Sequence, residues 1–122
     1  MGRHTLETDH PRLDVRQWSG KSPEAIVLSS SLRNVPEGFV CLDCIEAVVA
    51  HLVEERRQSL IVEGGALTLK AFLDRGLWDE IRVETSPMVV GECVEAQRLP
   101  SDIALSLRES FDGNVICWYH RA

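Results

Sequence analysis

The sequence predicts an α/β fold, a mixed sheet flanked by helices, and three stretches carry that prediction. Ala25-Ile26-Val27-Leu28 is a short apolar run bounded by turn residues, the pattern of a buried strand. Leu60-Ile61-Val62-Glu63 leads into Gly64-Gly65 and then into apolar residues at Ala66, Leu69, Phe72 and Leu73, which reads as strand, glycine turn and helix. Near the end, Ile103, Leu105 and Leu107 alternate with polar residues, and Asp112-Gly113 offers hairpin-turn chemistry before a strand over residues 115–119. That end of the chain is expected to be antiparallel.

Taken in order, Thr5 can cap a short helical turn, and Pro11 pushes His10 out of the helical region, so the turn should end near Asp9. Thr5 and Asp9, four residues apart, would stack on one face. Leu13, Val15 and Arg16 follow in an extended run. Trp18-Ser19-Gly20-Lys21-Ser22-Pro23 is a turn-rich joint before the strand over residues 25–28, and a weaker strand is expected over 38–42. Residues 43–58 place Ile45, Val48, Val49, Leu52 and Val53 at helical spacing, with Asp43 and Glu46 forming a capping box and Arg56 and Arg57 near the exit. Gly76 is a natural stop for the helix that follows the glycine turn. Ile81, Val83 and Thr85 then alternate with Glu80, Arg82 and Glu84 as in a half-buried strand, and residues 86–101 read as a long connection with room for a short strand.

The chain has 122 residues, 44% apolar and 26% charged, enough for one domain over residues 1–122 with a modest core. A net charge of −6 argues against general binding to nucleic acid or acidic membranes, so a phosphate site must rest on local cations and backbone donors. No apolar run approaches the roughly 20 residues of a membrane-spanning helix, and no secretory leader is recognisable, so the cytoplasm is the expected compartment. Cys41, Cys44, Cys93 and Cys117 are too few and too irregular for a secreted disulfide framework and are read as reduced. Cys41-Leu42-Asp43-Cys44 leaves a redox or metal motif open, although helix initiation already explains that turn. Beyond that pair the sequence offers no metal site. The H-x-E and P-C-x-x-C signature of zinc deaminases is absent, because His51 is followed by Leu52, Val53 and Glu54.

The glycine junction carries the chemistry. First-turn N–H groups of a helix lack intrahelical partners and the positive end of its dipole points outward, so a helix opening at Gly65 suits an anion such as a phosphate. Glu63 stands where ligand sites of α/β proteins commonly lie, at the end of the expected strand. Without further information a plain α/β connection explains the same residues.

Val62-Glu63-Gly64-Gly65-Ala66, Phe72-Leu73 and Gly76-Leu77-Trp78-Asp79-Glu80-Ile81-Arg82-Val83 together resemble the reductase domain of the bifunctional riboflavin-biosynthesis deaminase-reductase, RibD. Thr5-Leu6-Glu7-Thr8-Asp9-His10-Pro11-Arg12-Leu13-Asp14-Val15-Arg16 is similar to that family's T-x-x-x-D-x-P-x-L-x-x-R segment, and both motifs stand in the family's order. The likeness continues through Ser86-Pro87-Met88-Val89-Val90-Gly91 and Phe111-Asp112-Gly113-Asn114-Val115-Ile116.

The resemblance implies a dihydrofolate reductase-like fold, commonly a homodimer, and NADPH-dependent reduction of 5-amino-6-(5-phosphoribosylamino)uracil to its ribitylamino product. It places cofactor contacts on Thr5, Asp9, Gly65, Ala66, Leu67, Thr68, Leu69, Lys70 and Ala71, and substrate contacts on Leu13, Arg16 and Glu63. No catalytic acid is implied by any matching position. Lys70 and Arg3 are candidates for a 2′-phosphate clamp, and the choice between NADPH and NADH stays open.

Relatives carry an upstream strand with an A-x-S-L-D-G-like segment, and another strand where this chain runs from Leu42 to Asp43. The chain is therefore expected to be a truncated form, lacking the first strand and part of the middle, with exposed sheet edges. Two function classes follow. One is the reductase, and the other is a noncatalytic nucleotide-binding remnant or interaction module.

Overall fold

A computed structural model describes residues 1–122 and resolves two compact units, residues 1–69 and 70–122. The first unit holds α1 (Arg3–Asp9), β1 (Ala25–Leu28), β2 (Phe39–Leu42) and α2 (Ile45–Glu54). The helix after the glycine turn, α3 (Ala66–Asp74), begins in the first unit, and β3 (Glu80–Thr85), β4 (Ile103–Phe111) and β5 (Asn114–Arg121) belong to the second. Strands pair both parallel and antiparallel, as the mixed α/β expectation requires.

β1 and β2 are parallel, with Ala25 opposite Phe39 and Leu28 opposite Leu42. The other edge of β1 is taken by the first two residues. Gly2 bridges Leu28, the Leu28 N–H donates to Met1 O at 2.7 Å, and the Met1 amine donates to Ile26 O at 2.9 Å. With ladder partners on both sides, β1 lies at the centre of this unit and Val27 is fully buried. Leu6 of α1 and Ile45 and Val48 of α2 are buried as well, whereas Val49 and Val53 of the apolar stripe expected on α2 are exposed, 40% and 73%.

Several expectations need correction. Residues 60–63 form no strand. Such a segment needs a free ladder edge, and the β1 edge beside the glycine turn is occupied by Met1 and Gly2, so Ile61 stays 80% exposed. Thr5 does not cap α1. Gly2 holds that position, and His10, in the left-handed region with φ 46°, ends the helix by donating to Leu6 O at 3.0 Å. Residues 13–16 are not a strand, because Leu13 turns the chain at φ 51°.

α2 is shorter than its periodicity suggests. Its N-cap is Cys44 rather than Asp43 and makes no side-chain cap bond. Its end is set by Arg56, at φ 52°, where the Arg57 N–H reaches back to Leu52 O at 2.8 Å and closes the last turn.

In the second unit β5 lies between β3 and β4, antiparallel to both. Asp112 and Gly113 both have positive φ, 48° and 82°, the geometry of the tight turn those residues favour. A register shift lies between Leu105 and Leu107, and there the Ser106 hydroxyl donates to Trp118 O at 3.0 Å. Gly76, at φ 63°, ends α3: its N–H meets Leu73 O at 2.9 Å and the Leu77 N–H meets Phe72 O at 3.0 Å. Arg121 locks this turn by donating to Gly76 O and to Trp78 O (3.1 Å) while its guanidinium stacks 4.5 Å from the Trp78 ring. Residues 86–101 contain no strand. No helix is long and apolar enough to cross a membrane.

Candidate functional site

The first unit brings Thr5, distant in sequence, against Gly64, Gly65 and Thr68 at the start of α3. Gly65 sits at φ 73°, which a side chain resists, and its carbonyl accepts the first intrahelical bond from the Leu69 N–H at 3.0 Å. The N–H groups of Ala66, Leu67 and Thr68 are therefore the unpartnered donors of this helix end. Thr5, projecting from α1, closes the turn from one side. A Cβ added to Gly65 would lie 3.1 Å from Thr5 Oγ1 and 3.7 Å from Thr68 Oγ1, and one added to Gly64 would lie 3.1 Å from Thr5 Cγ2. Only glycines let Thr5 come this close. Thr68 is the buried polar residue of the cluster, 8% exposed. The result is a closely packed turn that sets backbone donors beside two hydroxyls, a donor set suited to an anionic oxygen cluster.

The other expected cofactor positions are arranged along the same helices. Asp9 is exposed one turn beyond Thr5 on α1. Leu67 faces outward, 84% exposed, while Ala66, Leu69 and Ala71 are half-buried. Lys70 is exposed and paired with Asp74 on the next turn, and Arg3 is held by Glu7 (3.6 Å) and the Ser31 hydroxyl (2.9 Å). Both clamp candidates thus already have partners.

The expected substrate residues are less tightly organised. Leu13 is half-buried and Arg16 exposed, both beyond the C-terminal cap of α1. Asp14 lies between two guanidiniums, 3.1 Å from Arg12 and 2.9 Å from Arg16 Nε. Asp14 Oδ1 is buried yet accepts no hydrogen bond, so the short Arg16 contact is an ion pair without N–H alignment. The Arg16 fork is therefore steadied by Asp14 while remaining open to solvent. Glu63 is exposed just before the turn. Burial lowers the pKa of the Met1 amine, and the negative charge of Glu63 opposes that shift.

Cys44 is poorly suited to thiolate chemistry. The nearby Ala47 N–H pulls its pKa down. The hydrogen bond with Asp43, desolvation and the charges of Asp43 and Glu46 together outweigh this and raise the thiol above its ordinary 9.0. All four cysteines are free. No three His, Cys, Asp or Glu side chains gather as metal ligands.

Two features escaped the sequence reading. Gly2 packs into the cluster, but a single glycine outside a turn motif gives no spacing signal. In the second unit an open cleft of about 360 Å³ is lined by Lys70, Asp74, Glu95 and Arg98 among others. Residues 95–98 carried no periodicity from which it could be read.

Solved structures share this fold. The diaminohydroxyphosphoribosylaminopyrimidine deaminase/5-amino-6-(5-phosphoribosylamino)uracil reductase of Thermotoga maritima superposes with a TM-score of 0.82 at 19% identity, over 99% of this chain and 44% of its own. RibD of Acinetobacter baumannii gives 0.78 at 18% identity, over 99% and 46%. A Shewanella sp. PV-4 protein, assigned by its description to riboflavin biosynthesis, gives 0.71 at 26% identity, over 99% and 71%. The chain thus spans less than half the length of the first two. No curated protein sequence matches it significantly. The family model described as the RibD C-terminal domain matches residues 1–112, and the chain belongs to that family.

Proposed function

We propose that the chain is an NADPH-dependent reductase of 5-amino-6-(5-phosphoribosylamino)uracil, acting in riboflavin biosynthesis. The observation that carries this reading is the cradle of Thr5, Gly64, Gly65 and Thr68 at the start of α3 in a member of this family. The donor set fits a nucleotide phosphate, since the first-turn N–H groups of residues 66–68 have no intrahelical partners and the Thr5 hydroxyl lies beside the turn. Thr5, Asp9 and residues 65–71 would hold the cofactor, which supplies the hydride delivered to C1 of the opened ribosyl group.

This chain's own part is binding and orientation. Backbone donors at residues 66–68 bind phosphate oxygens. Arg16, braced by Asp14, offers a planar fork to the substrate phosphate, and Glu63 accepts hydrogen bonds from the polar pyrimidine. No side chain is assigned as the general acid. The reading includes a homodimer in the cytoplasm, supported by the apolar side chains that β4 leaves exposed, Leu105, Leu107 and Phe111.

A noncatalytic nucleotide-binding module is favoured by one observation: Arg16 already has a carboxylate partner in Asp14. Steady-state NADPH oxidation with the phosphorylated substrate separates the two. Turnover is expected, and Arg16→Ala should raise KM about tenfold or more while changing kcat less, since a charge-assisted contact is worth roughly 1.5–3 kcal/mol. An unchanged KM removes Arg16 from the substrate site, and absence of turnover in a chain that binds NADPH supports the noncatalytic reading.

A further inference from the structure

Gly2 is the point at which α1, β1 and the start of α3 meet, and it has no side chain to separate them. Its N–H donates to Gly64 O at 3.4 Å, its carbonyl accepts from the Leu6 N–H at 3.3 Å, and its backbone bridges Leu28. The backbone at φ −84° accepts any L residue, so the constraint is space rather than strain. A Cβ built on Gly2 would stand 2.6 Å from Thr68 Oγ1, with Thr68 Cβ next at 3.9 Å. Thr68 is buried and β-branched, so its hydroxyl is not the free tip of a flexible chain.

The same short helix carries Thr5 against Gly65. A residue that moves α1 at Gly2 therefore alters the gap at the glycine turn. To reach the 3.4 Å of ordinary contact, an alanine at position 2 must displace Thr68 or α1 by about 0.8 Å.

We infer that Gly2 is a positioning residue of the cradle: its missing side chain lets Thr68 close on α1 and so holds Thr5 against Gly65. This inference rests on the cofactor reading proposed above, and Gly2 itself need not touch the cofactor. A displacement on this scale in a binding element costs on the order of tenfold to hundredfold in function.

The test uses the full chain and two readouts. Amide hydrogen exchange at Leu6 and Leu69, whose N–H groups donate to Gly2 O and Gly65 O, reports the geometry without cofactor, and NADPH titration by nicotinamide fluorescence reports the function. Gly2→Ala is expected to accelerate exchange at those amides, leave β2 protected, and weaken NADPH binding about tenfold or more. Gly2→Ala combined with Thr68→Ser should recover both towards the level of Thr68→Ser alone, because serine lacks the Cγ2 and can turn its hydroxyl away from position 2.

Unchanged exchange in Gly2→Ala overturns the inference. So does accelerated exchange that the double variant fails to reverse, including loss of protection throughout β2, which marks a general stability role. If the wild-type chain binds no NADPH, the cofactor reading falls, while the exchange data still decide whether Gly2 sets the turn.

Discussion

Alanine substitution at three glycines separates backbone strain from steric contact and tests how tightly Thr5 presses on the turn. Gly76 has φ 63°, but a Cβ there would meet its nearest neighbour, an Arg121 nitrogen, at 3.6 Å, which is ordinary contact. Gly76→Ala therefore carries the left-handed penalty of about 1–2 kcal/mol, offset by the roughly 0.4–1 kcal/mol that alanine removes from unfolded-chain freedom. Gly64 is not in the left-handed region, and its Cβ would lie 3.1 Å from Thr5 Cγ2 and 3.5 Å from Met1 Cβ. Contact and unfolded-state terms then oppose each other, and the net change should stay within about 1 kcal/mol.

Gly65 combines φ 73° with a Cβ 3.1 Å from Thr5 Oγ1, so both costs act together. Gly65→Ala should lose about 2–3 kcal/mol, more than either of the others. Urea denaturation followed by far-UV circular dichroism measures each change from the midpoint and slope. A Gly65→Ala variant no less stable than Gly76→Ala would show that Thr5 does not press on the turn, and the cradle geometry would lose its support.

Two further outcomes follow from the charge arrangement. Glu84 accepts from Asn114 (2.7 Å) and from Arg82 (3.0 Å), and these bonds, in that order, lower its pKa below the ordinary 4.5. Its stabilising contribution is thus fully present above pH 4.5 and is lost as the pH falls through the lower folded-state value. Wild type should exceed Glu84→Gln in urea midpoint at neutral pH, with the gap closing in acid, and a gap that persists in strong acid would contradict this linkage. Because the Cys44 thiol is held above its ordinary pKa, iodoacetamide at pH 8 should label Cys44 more slowly than a free cysteine peptide, and Cys44→Ser should leave NADPH oxidation unchanged. Rapid labelling, or lost activity in the variant, would restore the thiol reading.

Local chemistry made much of the fold legible. The run at residues 25–28, the Asp112-Gly113 turn, the alternation at 80–85 and the Gly76 stop are all settled within a few residues, and the structure has each of them. The failures depend on distant partners. Residues 60–63 have strand composition, but whether they pair depends on which segment reaches the edge of β1, and Met1 and Gly2 reach it. Thr5 looked like a cap because its hydroxyl suits that role, whereas its position against Gly65 depends on how α1 packs. At the site, the family resemblance implied Thr5, Gly65 and Thr68, which the structure brings close together. It could not show that Asp14 braces Arg16, or that Gly2 lies within van der Waals range of Thr68, because both depend on side-chain placement rather than order along the chain.

The most direct test of the central claim is a fluorescence titration of the purified chain with NADPH, run beside Gly65→Val. The account predicts micromolar binding to the wild type and its loss in the folded variant, where a β-branched side chain fills the cradle beside Thr5. A folded wild-type chain that binds no NADPH, or a Gly65→Val variant that binds it equally well, would contradict the assignment of the α3 glycine turn as the cofactor site.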